Sequence, residues 1–291
     1  MNLSCPNCEK SADYVIDFRT FKRHGSFYRT SDSKHIERFK CLKCKRTFSK
    51  ATRDPYFGQK KRQKNLKIFE LLGSGVSQRR TARLLRINRK TVMRRLIFLG
   101  EMSYEELLIR NSDLKVDEVQ FDDLETIEHS KCKPVSVTIA VQEKTRRILG
   151  FKVASMPAKG LLSKRAIKKY GYRLDERRDK RRELFKEIRP IVAKNGVIKS
   201  DSNPYYLSDV KEFFPDCDYI QYLGQRGSIT GQGELKKVRF DPIFSLNHTC
   251  AMYRANVSAL IRKTWCTSKK RENLSHHLAI YALYHNKHLP K

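Results

Sequence analysis

The chain has few acidic residues for its size, and it lacks any long apolar segment. Asp and Glu number 31 against 62 Lys and Arg, which gives a formal net charge of +31. No run of 18 or more apolar residues occurs, so we expect no membrane-spanning helix. The first eight residues lack the apolar core of a secretory signal. These absences predict a cytoplasmic protein with reduced thiols.

The excess of positive charge predicts a polyanionic partner. No lipidation signal flanks an apolar helix, so nucleic acid is favoured over a membrane surface, with association to the nucleoid. The length of 291 residues is enough for a large hydrophobic core and for two or three domains.

Four of the eight cysteines form two closely spaced pairs, Cys5 with Cys8 and Cys41 with Cys44. Each Cys-x-x-Cys turn can occupy one edge of a zinc tetrahedron, and two such turns joined by short strands form a zinc ribbon. A redox dithiol is the alternative, but redox motifs do not occur as matched pairs in a basic segment. We therefore predict a structural Zn²⁺ site in a domain of residues 1–57. The other four cysteines are interpreted as ordinary reduced residues.

Three short helical patterns follow in residues 58–112. Gly73-Ser74-Gly75 ends the first, Ser77 caps the second and Asn88 caps the third. The short connection before Asn88 is typical of a helix-turn-helix, with the third helix as the recognition helix. Residues 101–113 are interpreted as a separate short acidic helix or a linker. The candidate DNA-binding residues are Arg89, Lys90, Thr91, Arg94 and Arg95. A plain three-helix bundle with a solvated basic face is the alternative.

Acidic residues are concentrated in a stretch from Val116 to Glu125 that also carries the apolar pattern of a strand. Two further alternating stretches follow it, and then come a charged helical segment, a strand ending at Asp201, a helix and a short strand. This order matches an α/β layer of the RNase H-like type, which we assign to residues 113–291. The last third is predicted to be helical, with one long helix from Leu246 to Thr264 and a final helix from Leu274 to Tyr284.

In an RNase H-like layer the first and fourth strands lie side by side. Asp122 on the first strand and Asp201, 79 positions later, should therefore approach each other. Two adjacent carboxylates resist ionising together unless a cation neutralises them, and Mg²⁺ or Mn²⁺ prefers such oxygen ligands. Two ions of this kind can cleave DNA by in-line displacement at phosphorus. The basic run from Arg177 to Arg182 is either a solvated face or a surface for DNA phosphates.

Together these motifs resemble an insertion-sequence transposase of the DDE superfamily, and the resemblance covers nearly the whole chain. It rests on the two cysteine pairs, the helix-turn-helix at Val76 to Leu99, the acids in Phe121-Asp122-Asp123-Leu124, and Ser200-Asp201. The most specific part is Asn247-His248 followed by Arg254 and the run from Leu260 to Thr264. The resemblance implies that Asp122 and Asp201 hold the first two acidic positions, with Asp123 as the fallback on the opposite face of the strand.

The third position departs from the family pattern, because the residue that matches the expected Glu is Asn247. An amide oxygen can bind a hard cation but brings no charge, so a second metal would be held less firmly. Some related transposases have an Asp-Asp-Asn pattern, which makes Asn247 our preferred third ligand. The alternatives are Glu234, which lies 33 positions after Asp201, and Asp241.

The predicted function is therefore DNA transposition. The protein would bind terminal inverted repeats through the ribbon and the helix-turn-helix, then cut and join target DNA with Mg²⁺ or Mn²⁺. Bringing two ends together requires at least two subunits, so we expect a homo-oligomer on double-stranded DNA. The competing hypotheses are a non-catalytic DNA-binding regulator and an RNase H-fold nuclease or resolvase.

Overall fold

The structure is a computed structural model. It describes residues 4–8, 20–30, 32–223, 241–261 and 265–289. The contacts divide the chain into two compact units, residues 1–66 and residues 67–291. Each unit is described by itself. The finer boundaries at 57/58 and 112/113 stay a prediction.

The first unit contains a small antiparallel sheet. Its strands are β1 (Phe21–Arg29), β2 (Lys34–Cys41) and β3 (Thr47–Ser49), in that spatial order. The rings of Phe21, Phe39 and Phe48 pack together with centroids 5.6 to 5.9 Å apart. This sheet is too small to bury much apolar surface, so its interior is formed largely by these three rings and the cysteines.

The second unit begins with three helices. These are α1 (Asn65–Gly73), which starts at the boundary between the units, α2 (Gln78–Leu84) and α3 (Arg89–Asn111). The predicted caps are confirmed, since the side chain of Ser77 accepts a hydrogen bond from Arg80 N and that of Asn88 accepts one from Lys90 N. Arg86 adopts φ +51° in the short connection between α2 and α3.

The prediction of a separate helix or linker at residues 101–113 was wrong. The third helix continues without a break to Asn111. Gly100 lies at the closest approach of α3 to the last helix, and a Cβ atom placed there would lie 2.4 Å from His276 Cβ. Gly100 is therefore a site of close helix packing.

A mixed five-stranded sheet forms the centre of the second unit. Its strands are β4 (Val116–Ile127), β5 (Pro134–Gln142), β6 (Ile148–Ser155), β7 (Val192–Asp201) and β8 (Asp218–Tyr222). The spatial order is β6-β5-β4-β7-β8. Strands β4, β5 and β6 are antiparallel neighbours, whereas β7 runs parallel to both β4 and β8. The predictions of three successive antiparallel strands and of adjacent first and fourth strands are confirmed.

Five more helices among the described residues accompany this sheet: α4 (Leu162–Tyr170), α5 (Arg177–Ile188), α6 (Tyr206–Phe213), α7 (Phe244–Asn256) and α8 (Arg271–Lys287). Leu124 of β4 belongs to the buried cluster that α7 and α8 complete. Phe121 of the same strand belongs to a second cluster, with Phe185 of α5 and Val210 of α6. Because side chains alternate along a strand, β4 packs against helices on both faces.

The predicted long helix from Leu246 to Thr264 was also wrong in its length. Helix α7 ends at Asn256, and Val257 is extended with φ −109° and ψ 102°. Val257 and Leu260 nevertheless join the same buried cluster as Tyr253, so the apolar periodicity continued after the helix had ended. Residues 262–264 lie outside the described residues.

Candidate functional site

The four predicted zinc ligands come together in the first unit. The sulfur atoms of Cys5, Cys8, Cys41 and Cys44 all lie within 4.8 Å of one another, and this is the metal-ligand cluster found among the described residues. Cys5 Sγ lies 3.5 Å from Cys44 Sγ, and Cys8 Sγ lies 3.7 Å from Cys41 Sγ. The backbone N–H of Cys44 donates to Cys41 Sγ at 3.4 Å, which orders the second turn around the cluster.

The electrostatics of this cluster fit a cation. Burial raises the pKa of Cys8 to about 12. A hydrogen bond from the backbone N–H of Arg46 lowers the pKa of Cys44 to about 6. The thiols therefore do not all ionise at neutral pH without a positive charge among them. Four sulfur ligands in this arrangement suit a structural Zn²⁺ ion, which binds thiolates tetrahedrally.

The second candidate site lies where β4 and β7 run side by side. The parallel register pairs Gln120 with Lys199. Two residues further along each strand come Asp122 and Asp201, so the register brings these two carboxylates to the same level of the sheet. Asp201 is the last residue of β7, and the backbone N–H of Asn203 donates to its Oδ1 at 3.2 Å. The hydrogen bond holds one Asp201 oxygen in place at the strand end.

Asp122 is destabilised as an anion. Burial, followed by the charge of Asp201, raises the pKa of Asp122 to about 7. The hydroxyl of Tyr206 donates to Asp122 Oδ1 at 3.2 Å and opposes this shift. The ring of Tyr206 lies between Phe121, with centroids 4.9 Å apart, and the guanidinium of Arg181 at 4.7 Å. A divalent cation between Asp122 and Asp201 would remove the repulsion that raises this pKa.

Helix α7 lies against the same face of β4. The side chain of Gln120 donates to Pro242 O at 3.2 Å and accepts from Leu246 N at 2.9 Å. Further along α7, burial and then the charge of Asp122 raise the pKa of Cys250 to about 12. Asn247 precedes Cys250 by three residues, and residues at this spacing share one side of a helix. Asn247 therefore lies on the same side of α7 as Cys250, the residue whose pKa is raised by burial and by the charge of Asp122.

Two of the three candidates for the third ligand are in contact with each other. Asn247 Nδ2 donates to Asp241 Oδ2 at 2.8 Å, and Asp241 Oδ1 accepts from Ile243 N at 3.0 Å. The bond engages the amide nitrogen of Asn247, so Oδ1 is the atom that it offers to a cation. Glu234 lies outside the described residues.

Asp123, the fallback for Asp122, is positioned differently. Its Oδ1 accepts a hydrogen bond from the Thr138 hydroxyl. Burial raises the pKa of Asp123, whereas that hydrogen bond and the charge of Arg181 lower it. Asp123 lines a cavity with residues of α5 and of the segment after β7. It therefore belongs to the α5 side of the sheet, while Asp122 is the acid coupled to Asp201.

The basic run in α5 has a role that the sequence did not reveal. Asp209 of α6 is 0% exposed and receives hydrogen bonds from three arginines. Arg181 donates to it at 2.5 and 3.0 Å, Arg178 at 3.1 Å and Arg182 at 3.2 Å. Arg181, whose side chain is 3% exposed, is thus neither part of a solvated face nor free to bind phosphate. Asp209 occupies the same helical side as Tyr206 and Val210, and an acid on an apolar face is the signal that would have found it.

The candidate DNA-binding residues lie at the start of α3. Arg89, Lys90 and Arg94 are exposed, whereas Thr91 and Arg95 are half-buried. Burial lowers the pKa of Arg95. The opposite side of the helix, with Val92 and Leu96, belongs to the buried cluster of α1 and α2. Three of the five predicted residues therefore form an exposed basic surface on this helix.

The chain matches no protein-family model, and a search of curated proteins also returned no match. Among the described residues, none of the helices combines the length and the apolar character that crossing a membrane requires.

Proposed function

We propose that the protein is a DNA transposase that uses divalent cations held by Asp122 and Asp201. The observation that carries the proposal is the placement of these two carboxylates at one level of adjacent parallel strands, with the pKa of Asp122 raised to about 7 by burial and by Asp201. An acid that resists ionisation beside a second carboxylate is characteristic of a site that needs a cation. A protein that only binds DNA has no need for such a pair of carboxylates.

The order of the strands supports the same proposal. The spatial order of the strands is β6-β5-β4-β7-β8, and the first three strands in the chain are antiparallel while the last two are parallel. This is the order expected for an RNase H-like layer. In this arrangement the two acids come from strands that are distant in the chain but adjacent in the sheet. Enzymes of many kinds share such a layer, so the function is argued from the site and not from the fold alone.

Each residue of the site has a proposed role. Asp122 and Asp201 hold Mg²⁺ or Mn²⁺, and Asn247 adds a neutral oxygen ligand from α7. The bound ions would activate a water molecule or a DNA 3′-hydroxyl and stabilise the leaving oxygen in an in-line displacement. Tyr206 positions Asp122 through its hydroxyl. Asp241 fixes the orientation of the Asn247 amide.

The remaining parts of the chain would deliver DNA to this site. The four-cysteine cluster would hold Zn²⁺ and order the ribbon, and the exposed cations of α3 would contact duplex DNA at terminal inverted repeats. The net charge of +31 favours association with DNA in general, including target DNA and the nucleoid. Joining both ends of an element would require a homo-oligomer on the DNA.

The test uses linear DNA that carries the element's own ends, with Mg²⁺ or Mn²⁺. The wild type should nick the ends and join them to target DNA, and Asp122→Asn and Asp201→Asn should each lose this activity by at least about a thousandfold. Asp117→Asn is the matched control, since Asp117 is an exposed acid on the same strand. Cleavage without joining would favour a nuclease or resolvase. Binding without cleavage would favour a regulator and would overturn the proposal.

Variants of the three candidate ligands identify the third one in the same assay. Asn247→Ala should reduce cleavage strongly, whereas Asn256→Ala, a change of the same type on the same helix, should not. Asp241→Asn should have a smaller effect, because Asp241 acts only through Asn247. A large loss in Glu234→Gln with normal activity in Asn247→Ala would assign the position to Glu234.

A further inference from the structure

A cavity of about 350 Å³ lies beside the carboxylate pair, on the α5 side of the sheet. Its lining includes Asp123 of β4, Asp175 just before α5, Arg178 in the first turn of α5, and Asn203 and Tyr205 after β7. The size is at the lower end of the range for small-molecule sites. The group that fits here is therefore about as large as one nucleotide and no larger.

The cavity adjoins the proposed catalytic site through two short connections. Tyr205 lines the cavity and directly precedes Tyr206, whose hydroxyl donates to Asp122 Oδ1 at 3.2 Å. Asn203 donates its backbone N–H to Asp201 Oδ1 at 3.2 Å and also lines the cavity. A strand whose phosphate lay at the carboxylate pair would therefore have a neighbouring nucleotide within reach of this cavity.

Tyr205 is an exposed aromatic ring on a fixed backbone. Its N–H donates to Asn203 Oδ1 at 3.1 Å, and its carbonyl oxygen accepts from Arg181 Nη2 at 3.2 Å. Tyr205 is 74% exposed. Arg181 is in turn held by the buried Asp209. The ring is thus presented to solvent by a rigid support, which is the property of a stacking platform for an unpaired base.

The polar groups of the cavity suit a base and a phosphate together. Arg177 is bound by Asp175 at 2.9 and 2.5 Å, and Arg181 is bound by Asp209, so neither is the main anion ligand. The side chain of Arg178 is 63% exposed and contacts Asp209 through Nε at 3.1 Å. Its guanidinium can therefore also bind a phosphate. Asp123 and Asp175 would repel a bare phosphate but can accept hydrogen bonds from the edge of a base.

We propose that this cavity binds one unpaired nucleotide of the DNA strand that lies on the Asp122 and Asp201 pair. The base stacks on Tyr205 and its edge contacts Asp123 and Asn203, while a phosphate contacts Arg178. The inference rests on the proposed function and deepens it. The protein would act on DNA ends that are locally unpaired, with the nucleotide in the cavity fixing the position of the scissile phosphate.

Binding to two hairpin DNAs tests the inference. One ends blunt, and the other carries a single unpaired 2-aminopurine nucleotide at its 3′ end. No Mg²⁺ or Mn²⁺ is added, so that no strand is cut and the result does not depend on activity. Wild-type protein should quench the fluorescence of the unpaired base and bind this hairpin at least about fivefold more tightly than the blunt one, the lower end for one base stacked on an aromatic ring.

Variants of the exposed ring decide the outcome. Tyr205→Ala should abolish the quenching and the affinity difference, while Tyr205→Phe, which keeps the ring, should retain both. Tyr172→Ala is the matched control, because Tyr172 is a tyrosine of similar exposure, 75%, in the segment after α4. Equal binding of both hairpins by the wild type, or a difference that persists in Tyr205→Ala, overturns the inference. The proposed function fails instead through the Asp122 and Asp201 variants, so the two failures are distinguishable.

Discussion

The hydroxyl of Tyr206 donates to Asp122 Oδ1 at 3.2 Å, which connects helix α6 to the carboxylate that faces Asp201. This hydrogen bond lowers the pKa of Asp122, against the larger effect of burial. The ring of Tyr206 is buried beneath Arg181 and beside Phe121, so the hydroxyl has little freedom to move. Tyr206 is therefore a positioning residue for the candidate metal site.

Tyr206→Phe should weaken metal binding without unfolding the protein. Loss of a hydrogen bond to a charged group corresponds to about a tenfold change or more in affinity. We expect the concentration of Mn²⁺ that gives half-maximal cleavage to rise by this factor, with the rate recovering at saturating Mn²⁺. Tyr281→Phe, in a hydroxyl bonded to His285 on α8, is the control. A lower rate that no Mn²⁺ concentration restores would contradict the positioning role.

Asp122→Asn should stabilise the metal-free protein while it abolishes activity. The wild-type carboxylate is half-buried and repelled by Asp201, and the amide carries no charge. Because the pKa of Asp122 is raised from 3.8 to about 7, ionisation at pH 8 costs at most about 4 kcal/mol. Urea unfolding without divalent cations measures the gain. Asp117→Asn should stay within about 0.5 kcal/mol of the wild type, and a loss of stability in Asp122→Asn would contradict the charge argument.

The exposed cations of α3 should account for part of the salt dependence of DNA binding. Lys90→Ala and Arg94→Ala should each weaken binding to duplex DNA and reduce the slope of log affinity against log salt by about 1. Arg110→Ala is the control, since Arg110 lies at the other end of the same helix and pairs with Glu106. Unchanged slopes in Lys90→Ala and Arg94→Ala would argue against α3 as the recognition helix.

Removal of one cysteine ligand should unfold the first unit alone. Cys41→Ser should lose the bound zinc, measured as metal per chain, and should expose residues 1–66 to a protease. Residues 67–291 should keep their resistance, because they form a separate compact unit with its own core. Cys217→Ser should retain the zinc, as Cys217 lies outside the cluster. Zinc retained in Cys41→Ser would show that this thiol is not a ligand.

His277 should contribute a loss of stability in mild acid, which the raised pKa of Asp122 opposes over the same range. Burial lowers the pKa of His277 from 6.5 to about 4, so the unfolded chain binds a proton in this range that the folded chain does not. The contribution of the neutral His277 ring to the free energy of unfolding is fully present above pH 6.5 and is lost as the pH falls toward 4. Between pH 7.5 and 5.0 this loss is about 2 kcal/mol. The neutral ring can accept from the Gln78 amide at 3.2 Å. In urea unfolding, the stability change of His277→Gln over this range should be more favourable than that of the wild type by about this amount, and an equal change in the two proteins would contradict the assignment.

The local elements and the cysteine cluster could largely be predicted from the sequence. The spacing of Cys5 and Cys8 with Cys41 and Cys44 is a chemical pattern that only a few structures satisfy, and the four sulfur atoms do meet. Caps such as Ser77 and Asn88 act within one turn of their own helix, so local sequence identifies them. The alternation of apolar residues likewise located β4, β5 and β6, because burial on a sheet face follows a period of two.

The sequence by itself determined that Asp122 and Asp201 occur on separate strands, but only the tertiary structure decided their environment. A pKa depends on charges and burial supplied by distant segments, here Asp201 and Tyr206, which local sequence does not encode. For the same reason the contacts of the basic run in α5 depend on Asp209, and the partner that packs against α3 at Gly100 is His276 of the last helix. Periodicity fixes which side chains are buried, whereas the partners that bury them come from elsewhere in the chain.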